Sequence, residues 1–140
     1  MKYTEPKRYF PRRVAPPLAA LPFVTQTRRA RNLWAVPPAN DYLDACEIGA
    51  EYAAHYVQYL KDNPESVGSN LLGHIAADID FTAPSPQHGY WVGFFSTLEK
   101  LVYWAVKDAD VYGYVDRLAA QNEELREAVR QEERRERLKQ

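Results

Sequence analysis

The stretch DYLDACEIGAEYAAHYVQYLKD, residues 41–62, decides the fold of this chain. Its apolar residues recur every three or four positions, which is the period of an amphipathic α-helix, and Asn40 or Asp41 can cap that helix. Its apolar face carries small residues at Ala45, Gly49 and Ala53. Small residues let a second helix approach closely. We therefore expect a helix over 41–62 that packs against another helix.

The opposite face of this helix is polar, and we expect it to be in contact with water. It carries Asp44, Glu47, Glu51, His55, Gln58 and Asp62. Glu47, Glu51 and His55 are spaced by four, so they share one face and could offer metal ligands. His74 and Asp78 are also four apart and could form an ion pair, a cap or a ligand pair, but no second helix of matching quality supplies the remaining ligands. We predict no metal site and no cofactor, and keep a metal-dependent hydrolase as the second alternative function.

Two more core helices are expected downstream. Asn63 and Pro64 are typical of a helix start, and the apolar period that follows predicts a shorter helix over 64–79. Prolines predict a loop over 82–88. A third helix begins near Gly89 and has the strongest apolar stripe of the chain: Trp91, Phe94, Phe95, Leu98, Leu101, Val102, Ala105 and Val106. The predicted fold class is all-α, with three helices in a small bundle.

A second apolar stripe follows: Trp104, Val111, Val115, Leu118, Asn122, Leu125 and Val129. It is rotated by about 140° from the first, so either the helix breaks near 108–110 or one long helix buries two faces. Its spacing alternates between three and four, the heptad pattern, and an Asn at an a position favours a parallel dimer of fixed register. We predict self-association through Val111, Val115, Leu118, Asn122 and Leu125. The alternative is a helix that folds back on its own body.

Charge is segregated along the chain. Residues 1–40 carry eight Lys/Arg and one Glu, residues 41–116 carry three Lys and twelve Asp/Glu, and residues 117–140 carry seven bases and six acids. Seven of the ten prolines lie in residues 1–40, so this segment cannot be a regular helix. The predicted organisation is an extended, Pro-rich basic arm over 1–40, an acidic helical body over 41–110 and a long charged C-terminal helix over 111–140.

The basic arm has three interpretations: it docks on the chain's own body or on a second subunit, it binds nucleic acid, or it binds an acidic protein. The arginines that could contact an anionic partner are Arg12, Arg13, Arg28, Arg29 and Arg31, and aromatic residues lie between them. Positive charge with interleaved aromatics is typical of segments that bind nucleic acid. An adjacent acidic body, however, repels phosphate and attracts the arm. We favour docking of the arm on its own body or on a second subunit, and keep a nucleic-acid-binding regulator as the first alternative function.

Composition narrows the function further. Cys46 is the only cysteine, so no internal disulfide or cysteine-based zinc site can form. No apolar run is long enough to span a membrane, and no nucleophile or phosphate-binding motif is present. We expect a cytoplasmic, non-enzymatic accessory or inhibitory protein that binds another protein, with a basic nucleic-acid-handling protein as a fitting partner. The predicted partner-binding residues are Tyr103, Trp104, Tyr114, Glu47 and Glu51. The alternative for the three aromatic residues is that the apolar side chains of the arm cover them.

Overall fold

The structure, a computed structural model, describes residues 18–140. Arg12 and Arg13, two of the predicted nucleic-acid contacts, lie outside the described residues. Four α-helices account for most of the described chain: α1 (Tyr42–Asp62), α2 (Leu71–Ala77), α3 (Ser85–Val106) and α4 (Val111–Leu138). The predicted all-α class is confirmed.

One small β-hairpin precedes the helices. Strands β1 (Thr25–Gln26) and β2 (Arg31–Asn32) pair antiparallel, with Thr25 opposite Asn32 and Gln26 opposite Arg31. Short 3₁₀ turns occupy Leu18–Ala20 and Pro64–Ser66. The chain divides into two compact units, Met1–Leu101 and Val102–Gln140.

Helix α1 begins where the sequence predicts and packs as predicted. The Asp41 carboxylate accepts hydrogen bonds from the backbone N–H groups of Leu43 (2.8 Å) and Asp44 (3.1 Å), which caps the helix. Its small residues meet glycines of α3, because a Cβ on Gly49 or on Gly93 would lie under 3.0 Å from backbone atoms of the other helix. The predicted close approach of two helices is therefore confirmed.

The described part of the arm, residues 18–40, supplies core side chains. Leu21, Phe23, Val24, Leu33 and Trp34 are all buried. The Phe23 ring lies 5.2 Å from the Tyr52 ring of α1, and the Trp34 ring lies 5.1 Å from the Phe94 ring of α3. Contacts between aromatic rings in this geometry stabilise the fold beyond the contribution of the surface area that they bury. Residues 18–40 are therefore docked on the helices, as the favoured interpretation of the arm expects.

The expectation that His55 faces water is wrong. His55 is 3% exposed, and it belongs to a second buried stripe of α1 with Ile48, Tyr52 and Tyr59. The first stripe, with Ala45, Gly49 and Ala53, meets α3. Helix α1 thus buries two stripes, and Phe23 and Trp34 cover the second one at Tyr52, with ring centroids 5.2 and 6.1 Å away.

Two helix boundaries also differ from prediction. Helix α2 starts at Leu71 rather than at Pro64, because Gly68 (φ +89°) and Asn70 (φ +62°) take left-handed conformations that a helix cannot contain. Helix α3 starts at Ser85, four residues before the predicted Gly89. Pro86 is tolerated there because backbone N–H groups in the first turn of a helix have no acceptor within the helix, so the N–H that proline lacks is not needed.

Of the two alternatives that the sequence leaves open, a break or one long helix with two buried faces, the structure has the break. Helix α3 ends at Val106, and Asp110 caps α4 by accepting a hydrogen bond from the Gly113 backbone N–H at 3.0 Å. The core stripe of α3 is buried only as far as Leu98, and every residue from Glu99 to Val106 is exposed. The break separates Trp104 from the heptad residues of α4, with which the sequence had grouped it.

Candidate protein-interaction surface

Helix α4 displays an apolar stripe that residues 18–140 leave uncovered. We call this stripe the seam, and it consists of Val111, Val115, Leu118, Asn122, Leu125 and Val129. Its five apolar members are between 41% and 64% exposed, and Asn122 is exposed too. No residue of α4 is buried. Large apolar side chains aligned on one face and open to water are typical of a surface that binds another molecule.

Several charges of α4 pair with one another: in the heptad pattern Glu123, Glu127 and Arg130 lie away from the seam, whereas Arg126 flanks it. Arg130 contacts Glu123 at 2.9 Å and Glu127 at 2.8 Å, and Arg126 contacts Glu123 at 3.2 Å. Hydrogen bonds from Arg130 lower the pKa of both glutamates, and Arg126 lowers that of Glu123 further. The same pairs raise the pKa of Arg130. These groups are satisfied within one helix, so they do not compete for contacts at the seam.

An exposed aromatic pair lies in the same unit, near the end of α3. The Tyr103 and Trp104 rings are 5.5 Å apart at 75°, and the Lys107 ammonium lies 4.9 Å from the Trp104 ring centre. Tyr103 and Trp104 are each more than 60% exposed, and Tyr114 at the start of α4 is 56% exposed. The structure therefore brings two of the three predicted aromatic anchors into contact and leaves all three accessible.

The predicted acidic contact residues lie on α1 in the first unit. Glu47 is exposed, whereas Glu51 is only partly exposed and its Oε1 lies 3.8 Å from His55 Nε2. Glu51 and His55 are both engaged within the chain. Of the two predicted acidic residues, Glu47 is thus the one that an incoming partner can reach without displacing an existing interaction.

The described arginines of the arm occupy the β-hairpin. Thr27 N–H donates to the Ala30 carbonyl at 2.8 Å, and the Thr27 hydroxyl bonds to the Ala30 backbone at 3.1 Å, so the turn is tightly closed. Arg28 and Arg29 form its tip and Arg31 starts β2; all three are exposed. None of them forms an ion pair within residues 18–140. The hairpin thus concentrates positive charge at one point.

A cleft of about 240 Å³ lies between the arm and the helices of the first unit. It is lined by Asn32, Trp34, Ala35, Val36, Asp78, Asp80, Gln87 and Trp91. Asp78 Oδ2 accepts from the Leu33 backbone N–H at 2.8 Å, which ties the arm to the end of α2. Asp80 accepts from the Thr82 hydroxyl at 2.6 Å and its backbone N–H at 3.0 Å, and these bonds lower the pKa of Asp80. Asp78 therefore joins two distant segments, whereas Asp80 stabilises a local turn.

Sequence reasoning missed the role of Asp78. Its spacing from His74 suggested a metal-ligand pair, whereas the structure uses it as the acceptor for Leu33. Within residues 18–140, no three His, Cys, Asp or Glu side chains are grouped so that they could hold a metal ion. The described helices include none with the length and hydropathy needed to cross a bilayer.

No protein-family model, curated protein or solved structure matches this chain. The exposed surface of the second unit and the arginine hairpin are thus the features that point to a function.

Proposed function

We propose that this chain is a non-enzymatic accessory or inhibitory protein that acts by binding another protein. One observation carries the proposal: residues 102–129 hold many large apolar side chains in water. Their exposed fractions run from 38% to 83%, and they are Val102, Tyr103, Trp104, Val106, Val111, Tyr112, Tyr114, Val115, Leu118, Leu125 and Val129. Apolar surface on this scale is costly to leave exposed unless a partner covers it.

The aromatic pair would form the centre of the contact. Trp and Tyr are enriched among the residues that dominate binding energy, and each has few rotamers to lose. Tyr103 and Trp104 already contact each other. Their side chains are therefore partly ordered before binding, which lowers the conformational entropy lost when a partner binds. Exposed Glu47 on α1 supports a partner with basic groups, a nucleic-acid-handling protein being one such class. A cytoplasmic location is part of the proposal and rests on the single cysteine.

Quantitative affinity capture with the intact chain tests the proposal. We expect a partner that is retained by the wild type and reduced at least about tenfold by Trp104→Ala with Tyr103→Ala, since one such anchor contributes on the order of 2 kcal/mol. Leu138→Ala is the matched control, because Leu138 is 82% exposed but lies outside the surface. Equal capture by the wild type and the double variant would refute the proposed contact surface.

A second candidate function is nucleic-acid binding by the hairpin. The observation that favours it is the trio of exposed arginines, Arg28, Arg29 and Arg31, which have no acidic partner among the described residues. Binding to mixed DNA and RNA should then weaken steeply with salt, because counterions are released when phosphates are neutralised.

The control for that experiment keeps the net charge equal. Arg28→Ala with Arg29→Ala should abolish binding, whereas Arg117→Ala with Arg137→Ala, the same loss of charge on α4, should retain it. Equal weakening by both pairs would mean that only overall charge matters, and it would contradict a role for the hairpin.

A further inference from the structure

The residue types of the exposed seam favour one kind of partner, whereas the aromatic pair is compatible with many. We propose that α4 pairs with α4 of a second copy of this chain, parallel and in register, as a short two-stranded coiled coil. The inference extends the proposed function, since it assigns one part of the contact surface to self-association. It depends on the seam and not on Tyr103 or Trp104.

The residue types at each seam position favour two parallel strands. Val115, Asn122 and Val129 occupy the a positions, and Val111, Leu118 and Leu125 occupy the d positions. β-Branched residues at a with Leu at most d positions favour a parallel dimer. The seam from Val111 to Val129 is about 27 Å long at 1.5 Å per residue. A helix that buries none of its own residues gains its packing only from such a neighbour.

Asn122 selects the direction and the register. In a parallel pair, a positions face a positions, so each Asn122 amide can donate to and accept from the other. In an antiparallel pair, Asn122 would face a d residue, and a leucine there leaves the amide without a partner. A shift by one heptad would likewise place Asn122 opposite a valine. The side chain therefore penalises every alignment except the parallel, in-register one.

The flanking charges permit that arrangement and limit its length. The neighbours across a parallel pair would be Tyr114 with Ala119, Gln121 with Arg126, and Ala128 with Glu133, none of which pairs like charges. Glu132 and Glu136 occupy the next d and a positions, so two parallel copies bring four carboxylates together. The paired region therefore ends after Val129, and salt should strengthen the dimer by screening these carboxylates.

A seam of this length gives a weak dimer. Each copy offers five apolar side chains that are about half exposed, and association has its own entropic cost. The dissociation constant should accordingly be on the order of tens of micromolar. Concentration therefore decides how much of the protein is dimeric.

Sedimentation equilibrium of the full chain tests the inference. The wild type should be a reversible monomer–dimer system, and Leu118→Glu should weaken association at least about 100-fold by placing a charge in the seam. Ala120→Glu is the matched control, because it adds the same residue on the opposite face of α4, and it should dimerise like the wild type. Circular dichroism confirms that each variant keeps its helices.

Disulfide trapping tests the direction. Val115→Cys in a Cys46→Ala background should cross-link on mild oxidation, because parallel copies place the two thiols side by side. In an antiparallel pair centred on the seam, the two Cα atoms of position 115 would be about 15 Å apart, beyond the reach of a disulfide.

Several results would overturn the inference. They are a wild type that stays monomeric at several times the expected dissociation constant, an unaffected Leu118→Glu variant, or no trapping at position 115. The proposed function fails separately, when Trp104→Ala with Tyr103→Ala leaves partner capture unchanged. A monomeric wild type that still captures a protein through the aromatic pair would thus reject self-association alone.

Discussion

Replacing Gly93 by alanine should destabilise the first unit, because α1 and α3 touch through their backbones at this point. A Cβ on Gly93 would lie under 3.0 Å from the carbonyl oxygen, carbonyl carbon and Cα of Cys46. All three are main-chain atoms of α1, so no side chain can rotate to make room. Relief requires the two helices to separate by about 1 Å along their contact, which loosens the packing around Phe94.

The magnitude follows from two opposing terms. Overpacking of a tight core costs about 1–3 kcal/mol and more where only backbone can yield. Alanine favours the helix over glycine by about 1 kcal/mol. We expect a net loss of about 2 kcal/mol in the free energy of unfolding. For a unit of this size, that loss lowers the melting temperature by about 8–16 °C.

Urea and thermal unfolding followed by tryptophan emission measure this loss, since Trp34 is buried in the first unit. Gly73→Ala in α2 is the matched control, because its Cβ would meet only the Asn70 side chain, which can move aside. That variant should be as stable as the wild type or slightly more so. A Gly93→Ala variant with the midpoint of the wild type would refute the close approach of α1 and α3.

Three further predictions concern the first unit. Asp41→Ala removes the cap of α1 and should cost about 1 kcal/mol in urea unfolding, whereas Asp41→Asn should retain most of that stability. Asp78→Ala leaves the buried N–H of Leu33 without its acceptor and should cost about 1–2 kcal/mol; no loss would mean that water replaces the carboxylate. Burial raises the pKa of Tyr56 and Tyr90, so the unfolded chain ionises first, and stability should be complete below the ordinary value of about 10 and fall as pH rises above it. Substituting both by phenylalanine should reduce that alkaline loss, and an unchanged pH profile would contradict the assignment.

The features that could be predicted from the sequence are those that depend on local signals. The period of α1, its cap at Asp41 and its line of small residues are all contained in residues 41–62, and the structure reproduces each of them. The break near 108–110 was visible because the apolar stripe changes direction there. Local patterns also place Tyr103, Trp104 and Tyr114 off the core, and all three are exposed.

The misses have a common physical cause, which is contact between distant parts of the chain. His55 is buried in a stripe of α1 whose neighbours include the irregular segment from Leu21 to Trp34, and a Pro-rich segment has no period that reveals which surface it covers. Asp78 accepts a hydrogen bond from the backbone N–H of Leu33, which is 45 positions away, and no local pattern predicts that contact. The start of α2 depended on left-handed backbone at Asn70, a conformation that asparagine tolerates but does not require.

For the seam, sequence could supply the pattern but not the occupant. A heptad stripe is equally compatible with a second helix and with the chain's own body, since both would cover the same valines and leucines. The structure adds the exposure of Leu118, Leu125 and their neighbours in a single chain. Asn122 adds the preference for an identical partner, because only a second asparagine satisfies its amide.

Hydrogen exchange at two protein concentrations tests most directly the claim that the second unit is a contact surface. With α4 open to water in the monomer, its amides over residues 115–129 should exchange quickly at low concentration and become protected as the concentration rises past the dissociation constant. Amides of α1 should be unaffected, and Leu118→Glu should abolish the change. Protection of α4 that is strong and independent of concentration would contradict the account, since it would mean that the chain covers the seam itself.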